Sequence, residues 1–198
     1  MRYLLTAGHV SDAVLDDARR IDPLNPPAWI QSAIALFQSS RLVECEEAAR
    51  RALGLSEPGN PVRTYIAWNL AVLDYRDEAI AVLEEVSTAL GGSPYGSLSA
   101  FLARALQGDA NAAVGHVTPL LEQSARWVEY LGWMLAGGYA LIGRRDDAMR
   151  WLREAVDRGF INYPLLAKLD PHLEPLRGDA EYQALMQQVH QRWQTFNA

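Results

Sequence analysis

The chain is poor in cysteine: Cys45 is the only one in 198 residues. A lone thiol excludes an intrachain disulfide and any cysteine-based metal site. Cations do not gather. Lys and Arg number 18 against 24 Asp and Glu, the formal net charge is -6, and the basic residues are scattered among the acids. With no basic stripe to hold phosphates, nucleic acid is a poor candidate partner. No stretch approaches the roughly 18 apolar residues of a membrane-crossing helix, and Met1-Arg2-Tyr3-Leu4-Leu5 is too short a run for a signal peptide. A soluble, cytoplasmic chain is therefore expected. Apolar spacing of two is absent, so no strand is expected. A phosphate-cradling Gly-rich loop and a nucleophile elbow are missing as well.

Hydrophobic residues, by contrast, make up 49% of the chain and charged ones only 21%, enough for a packed core and too apolar for disorder. They are spaced by three and four, and the pattern repeats. Trp133 to Ile142 reads as an apolar helix, Gly143-Arg144-Arg145 as a turn, and Asp146 to Arg158, closed by Gly159, as a second helix. Cys45, Ala79, Ala113 and Ala148 stand 34, 34 and 35 residues apart. Ala52, Val86, Leu120 and Ala155 keep the same intervals, and so do Ala33, Ala67, Phe101 and Ala136. Small side chains at such positions let helices approach closely, which makes Cys45 a packed thiol and not a reactive one.

Three helix pairs precede the one just described. Asn25-Pro26-Pro27 reads as an N-cap with proline in the first turn, starting a helix through Trp29, Ala33, Leu36 and Phe37 whose partner runs from about Leu42 to Leu53. Asn60-Pro61 starts the next pair, with Ile66, Ala67, Leu70 and Leu73 followed by Ala79, Leu83 and Val86. Gly91-Gly92-Ser93-Pro94 punctuates before a helix through Leu98, Phe101, Leu102 and Ala105. The turn Gly108-Asp109 leads to its partner through Ala113, Val117 and Leu120, where Gly115 and Pro119 predict a bent or short helix. Ahead of all these, Tyr3 to Thr6, Gly8 and Ser11 to Arg20 read as the end of a repeat whose beginning is absent. That suggests an excised piece or the loss of upstream repeats.

After Gly159 the pattern changes. Pro164, Pro171 and Pro175 forbid a long helix, so residues 162–177 should form one or two short turns capped by Asn162 and Asp170. A final helix follows Gly178-Asp179 with one apolar stripe, Tyr182, Leu185, Met186, Val189, Trp193 and Phe196, and an opposite face of Gln183, Gln187, Gln191 and Gln194. The expected organisation is helical repeats over residues 1–160, then short turns and a capping helix over residues 161–198.

A period of about 34 residues built from two helices resembles the tetratricopeptide (TPR) repeat. The resemblance implies an all-α fold, a TPR-like superhelical solenoid of stacked antiparallel helix pairs closed by the C-terminal capping helix. More narrowly, Ala148 to Arg158, then Gly159-Phe160-Ile161-Asn162-Tyr163-Pro164, Asp170-Pro171 and Pro175-Leu176-Arg177-Gly178-Asp179, resembles the end of the TPR region in multidomain bacterial signalling proteins. Those are serine/threonine protein kinases, adenylate cyclases and transcriptional regulators, whose kinase or cyclase motifs do not occur here. Arg63 and Ser97 stand where the family often has Trp, and Arg104 where it favours a large apolar residue, so loosely packed middle repeats are expected.

In this family the first helix of each pair lines the concave face. The register places Ile30, Ile34, Phe37, Thr64, Trp68, Val72, Tyr95, Leu98, Leu102, Tyr130 and Trp133 there, a candidate partner-binding groove. Some members hold a peptide carboxylate with Lys and Asn on these helices, but the first Lys of this chain is Lys168. So large an apolar surface should be covered. Three covers suit it: a protein or peptide partner, including a second copy of the chain, with Trp and Tyr as anchors; the chain itself, by tight curvature or under the C-terminal cap; or a small apolar ligand. His9, His116, His172 and His190 have no metal-ligand spacing and read as surface residues. Adjacent acids such as Asp16-Asp17, Glu46-Glu47, Glu84-Glu85 and Asp146-Asp147 point apart on a helix and read as solvated. Arg177-Gly178-Asp179 is explained by a helix stop and a cap. The functional expectation is a protein-interaction scaffold, the regulatory TPR region of a larger bacterial signalling protein, with no catalysis, cofactor or metal of its own. The alternative is a self-association module, pairing through Met1 to Leu15 or through the groove. An enzyme built around Asp170 and His172 is the third and weakest reading.

Overall fold

A computed structural model describes residues 20–39 and 41–196. The half-repeat expected before residue 20, with His9 and the pair Asp16-Asp17, lies outside the described residues. So does the side chain of Phe196.

Four helix pairs follow in order. They are α1 (Pro26–Gln38) with α2 (Leu42–Leu55), α3 (Val62–Val72) with α4 (Arg76–Ala89), α5 (Pro94–Gln107) with α6 (Ala110–Gly115) and α7 (Pro119–Ala125), and α8 (Glu129–Leu141) with α9 (Arg145–Asp157). Among the described residues there is no strand. The first helices α1, α3, α5 and α8 pack side by side in chain order, each also against its own partner. This is the expected all-α solenoid of stacked antiparallel helix pairs.

The chain's own chemistry sets the helix ends. α1 and α5 carry proline in their first turn. The Asn60 side chain accepts from the Val62 N–H at 3.1 Å, and that of Ser93 from Gly96. Within the last three pairs the turn falls on a residue of positive φ: Asp74 (72°), Gly108 (80°) and Gly143 (73°). They stand 34 and 35 residues apart, so the turn repeats in phase with the core. The following N–H bonds back to the carbonyl five residues earlier, Tyr75 to Leu70, Asp109 to Arg104 and Arg144 to Tyr139, at 2.9 to 3.0 Å. That contact closes one helix and sets the start of the next. Glycine adopts this conformation freely; Asp74 does so at a cost of about 1 kcal/mol.

All three small-residue series are buried except at Leu120, which is 49% exposed. The helix through Ala113 stops at Gly115, and the Thr118 side chain caps a restart at Pro119. The break shifts the phase by one residue, so Leu121 is buried in place of Leu120.

Gly159 turns the chain at φ 105° into a π-helical turn (Leu165–Leu169) and a 3-10 segment (Pro171–Leu176). Asn162 Oδ1 accepts from the Leu165 N–H at 3.2 Å and Asp170 Oδ1 from the His172 N–H at 2.9 Å, the two expected caps. α10 (Ala180–Phe196) closes the stack. Asp179 Oδ1 accepts from the N–H of Glu181 at 2.8 Å, while its Oδ2 takes Arg145 Nε at 2.5 Å, so Arg177-Gly178-Asp179 is a helix start. Tyr182, Leu185, Met186 and Val189 are buried, and the four glutamines are exposed.

Arg63 does not loosen the middle repeats. It is buried, and its Nη1 donates to the carbonyls of Leu53 and Ser56, both at 2.8 Å, while its Nη2 meets Glu85 at 2.8 Å. One guanidinium thus satisfies the open end of α2 and ties it to α4.

Candidate functional site

The curvature of the stack decides what becomes of the expected groove. The rings of Phe37 in α1 and Tyr65 in α3 reach Trp133 in α8, with centroids 5.8 and 5.9 Å apart. Tyr65 also meets Tyr130 edge-on at 5.6 Å. Side chains of the first two pairs therefore touch the fourth, and the concave face closes on itself. Two glycines of α8 permit the approach. A Cβ on Gly137 would lie 2.7 Å from Trp68 Cζ2, and one on Gly138 would lie 2.4 Å from Phe101 Cε1.

The C-terminal turns complete the filling. The His172 ring stacks on Trp68 with centroids 4.3 Å apart and planes at 26°. Phe160 stacks on Trp133 at 5.2 Å and 13°. The Trp133 indole N–H donates to Asp170 Oδ2 at 2.7 Å. Asp170 is wholly buried, and Arg177 Nη2 donates to its backbone carbonyl at 3.1 Å and to that of Lys168 at 2.8 Å. His172 Nδ1 is 3.2 Å from Asp170 Oδ1 but makes no hydrogen bond to it, while that oxygen receives the His172 backbone N–H. Tyr182 donates its hydroxyl to the Leu166 carbonyl at 2.5 Å, and burial pushes that phenol up to about 12, so it stays a donor.

The expected groove residues accordingly divide. Ile30, Phe37, Thr64, Trp68, Val72, Leu98, Leu102 and Trp133 are buried within the chain. Ile34, Tyr95 and Tyr130 are half-buried at the mouth. Of the three covers expected for the apolar wall, the chain itself supplies one, because a tight superhelix brings α1 and α3 against α8 and the 3-10 segment. At the mouth the Tyr95 and Tyr130 hydroxyls share a hydrogen bond of 2.7 Å. Burial raises the Tyr130 phenol above its ordinary range, which keeps the bond protonated.

His172, expected at the surface, is 5% exposed. Its partnership with Asp170 faces the interior, where it holds a turn in place. His116 is half-buried, and His190 packs on Tyr163 with centroids 4.4 Å apart. Among the described residues no group of three His, Cys, Asp or Glu could hold a metal ion. Cys45 Sγ lies 3.4 Å from the Ala33 carbonyl, and burial pushes the thiol up to about 12, the behaviour of a packed residue. Sequence reasoning missed Tyr65 and Phe160 as members of the cluster. Only the aromatic character of Phe160, just past a helix stop, hinted at its role.

No protein-family model and no curated protein matches the chain. Among solved structures it is similar to PilW, described as a widely conserved type IV pilus biogenesis factor. The TM-score is 0.51 at 21% identity, over 94% of this chain and 89% of that one. At that identity the likeness speaks for the fold, and it agrees with an all-helical stack of pairs. Among the described residues no helix is long and apolar enough to cross a membrane.

Proposed function

We propose that this chain is a protein-interaction scaffold that holds another protein and performs no chemistry of its own. The observation that carries the reading is the rim of Ile34, Tyr95 and Tyr130, half-buried over a rigid aromatic interior, with the two tyrosines held by their mutual bond. Aromatic side chains fixed in advance lose little conformational freedom on contact, which suits them as anchors. Likeness to a pilus biogenesis factor supports a role in assembly in the broad sense. The narrower reading, a regulatory TPR region of a larger bacterial signalling protein working in the cytoplasm, is supported by the sequence run from Ala148 to Asp179.

Self-association is the second reading. It is favoured by Ile21 and Leu24 ahead of the first pair and Val43 in its second helix, which are 76%, 65% and 85% exposed. Light scattering on the purified chain tests it, and a monomer at high concentration would remove it. The scaffold reading is tested by immobilising the chain and its Tyr95→Asp variant. A protein retained by the first and lost by the second, at equal helicity, is expected. Equal retention would remove the rim from the account.

A further inference from the structure

The seams between successive pairs can be compared position by position, because the repeat places equivalent residues 34 or 35 apart. Between the first and second pairs three such positions hold Ile66, Leu70 and Val82; between the third and fourth they hold Leu135, Tyr139 and Trp151. All six are buried. Between the second and third pairs the same positions hold Ala100, Arg104 and His116, and all three are half-buried. At these three positions two seams carry large apolar side chains, and the one between them does not.

A cavity of about 330 Å³ results. Its walls are Glu84, Ser87 and Thr88 of α4, Ala100, Ala103 and Arg104 of α5, and His116 where the second helix of the third pair breaks. None of these residues belongs to the aromatic cluster of the inner face. Arg104 Nη1 donates to Gln107 Oε1 at 2.6 Å, and its Nη2 makes a long ion pair with Glu84 Oε1 at 3.8 Å, beyond hydrogen-bond range. Glu84 is engaged instead by Gln107 Nε2 at 3.1 Å. The Thr88 hydroxyl donates to the Glu84 backbone carbonyl at 2.9 Å, leaving its oxygen as an acceptor.

We propose that this seam is a binding site for a carboxylate-bearing ligand, received by the Arg104 guanidinium with His116 and Ser87 at its sides. A guanidinium fork matches a carboxylate in geometry and charge. Glu84 on the rim repels any anion, a doubly charged phosphate more than a single carboxylate, and the helix flanks that form the walls have their backbone N–H groups engaged within the helices. Glu84 and the Thr88 oxygen would meet donor groups of the same ligand, such as amide N–H. A peptide bearing an acidic side chain and a free small dicarboxylate offer the same chemistry. The site is independent of the scaffold reading: it would stand with a free dicarboxylate even if no protein partner bound.

The test uses the full chain, observed by NMR at the amides of Ser87 and Ala100 and the ring of His116, with glutarate and an acidic pentapeptide as probes. Saturable shifts confined to these residues are expected with at least one probe; a response to glutarate identifies a free acid, and a response to the peptide alone identifies a partner's side chain. Arg104→Gln should weaken binding at least about tenfold, or about 1.4 kcal/mol. Arg104→Leu with His116→Val, which restores the apolar pattern of the other seams, should abolish it while the fold persists. No saturable shift with either probe at millimolar concentration, or an unchanged dissociation constant in Arg104→Gln, would overturn the proposal.

Discussion

Where α8 meets the C-terminal turns, Trp68 and Trp133 are wholly buried, each covered by a ring from the chain's last quarter, with Asp170 receiving an indole proton. Where α4 meets α5, the repeat-equivalent core positions carry Ala100, Arg104 and His116, and a cavity opens between the helices. Both seams belong to the same solenoid and are built on the same small-residue crossings, Ala79 and Ala113 as much as Ala136 and Ala148. The difference teaches that stacking needs only the small residues at the crossings. The larger side chains around them decide whether a seam is sealed or left open to a ligand.

The comparison breaks most sharply at Trp133. Trp133→Ala should destabilise the chain by about 3 to 5 kcal/mol, since it removes a buried ring from under Phe37, Tyr65 and Phe160 and strips the buried Asp170 carboxylate of a donor. Denaturant unfolding measures this. A variant that keeps its midpoint but loses a partner would return Trp133 to an open groove and undo the account of a filled interior. Next in size is Gly138→Ala, whose new methyl would collide with the Phe101 ring; a loss of about 1 to 3 kcal/mol is expected. An unchanged melting temperature would show that α5 and α8 are not in close contact.

Arg63→Ala should cost about 1 to 3 kcal/mol, because the Leu53 and Ser56 carbonyls lose their donor at a half-buried helix end. Arg104→Leu, at the open seam, should instead raise stability, by about 0.5 to 1 kcal/mol. Opposite signs at two arginines, both at positions where tetratricopeptide repeats favour a large apolar residue, would sharpen the distinction between a sealed and an open seam; equal effects would dissolve it.

The smallest effect is expected at Cys45. Burial pushes its thiol up to about 12 from an ordinary 9.0, so the folded chain holds the thiol proton more tightly than the unfolded one. The contribution is fully present below about pH 9 and is lost as pH rises towards about 12. Cys45→Ala should flatten the alkaline limb of the stability profile, and a thiol reagent at neutral pH should label the wild type only after unfolding. Fast labelling of the native chain would place Cys45 at a surface.

Much of this was legible beforehand for local reasons. Helix ends at Asn60, Ser93, Asp170 and Asp179 depend on side chains that bond to the nearest backbone, and the break at Gly115 and Pro119 depends on their own geometry. Small residues at 34-residue intervals require no knowledge of distant chain. The filling of the inner face was not legible, because it joins Phe37 to Trp133 and Trp68 to His172 across about half of the sequence. Nor was the burial of His172: its neighbours Asp170 and Pro171 mark a turn, and a turn is ordinarily at the surface.

By itself the sequence determined the class of the fold, the pairing of the helices, the position of the break and the capping of the end, all consequences of backbone chemistry and of spacing along a single helix. Tertiary structure alone decided how tightly the solenoid curls. Curvature sums small rotations from each crossing, and that sum determines whether the aromatic rings of the first two pairs face water or the side chains of the last.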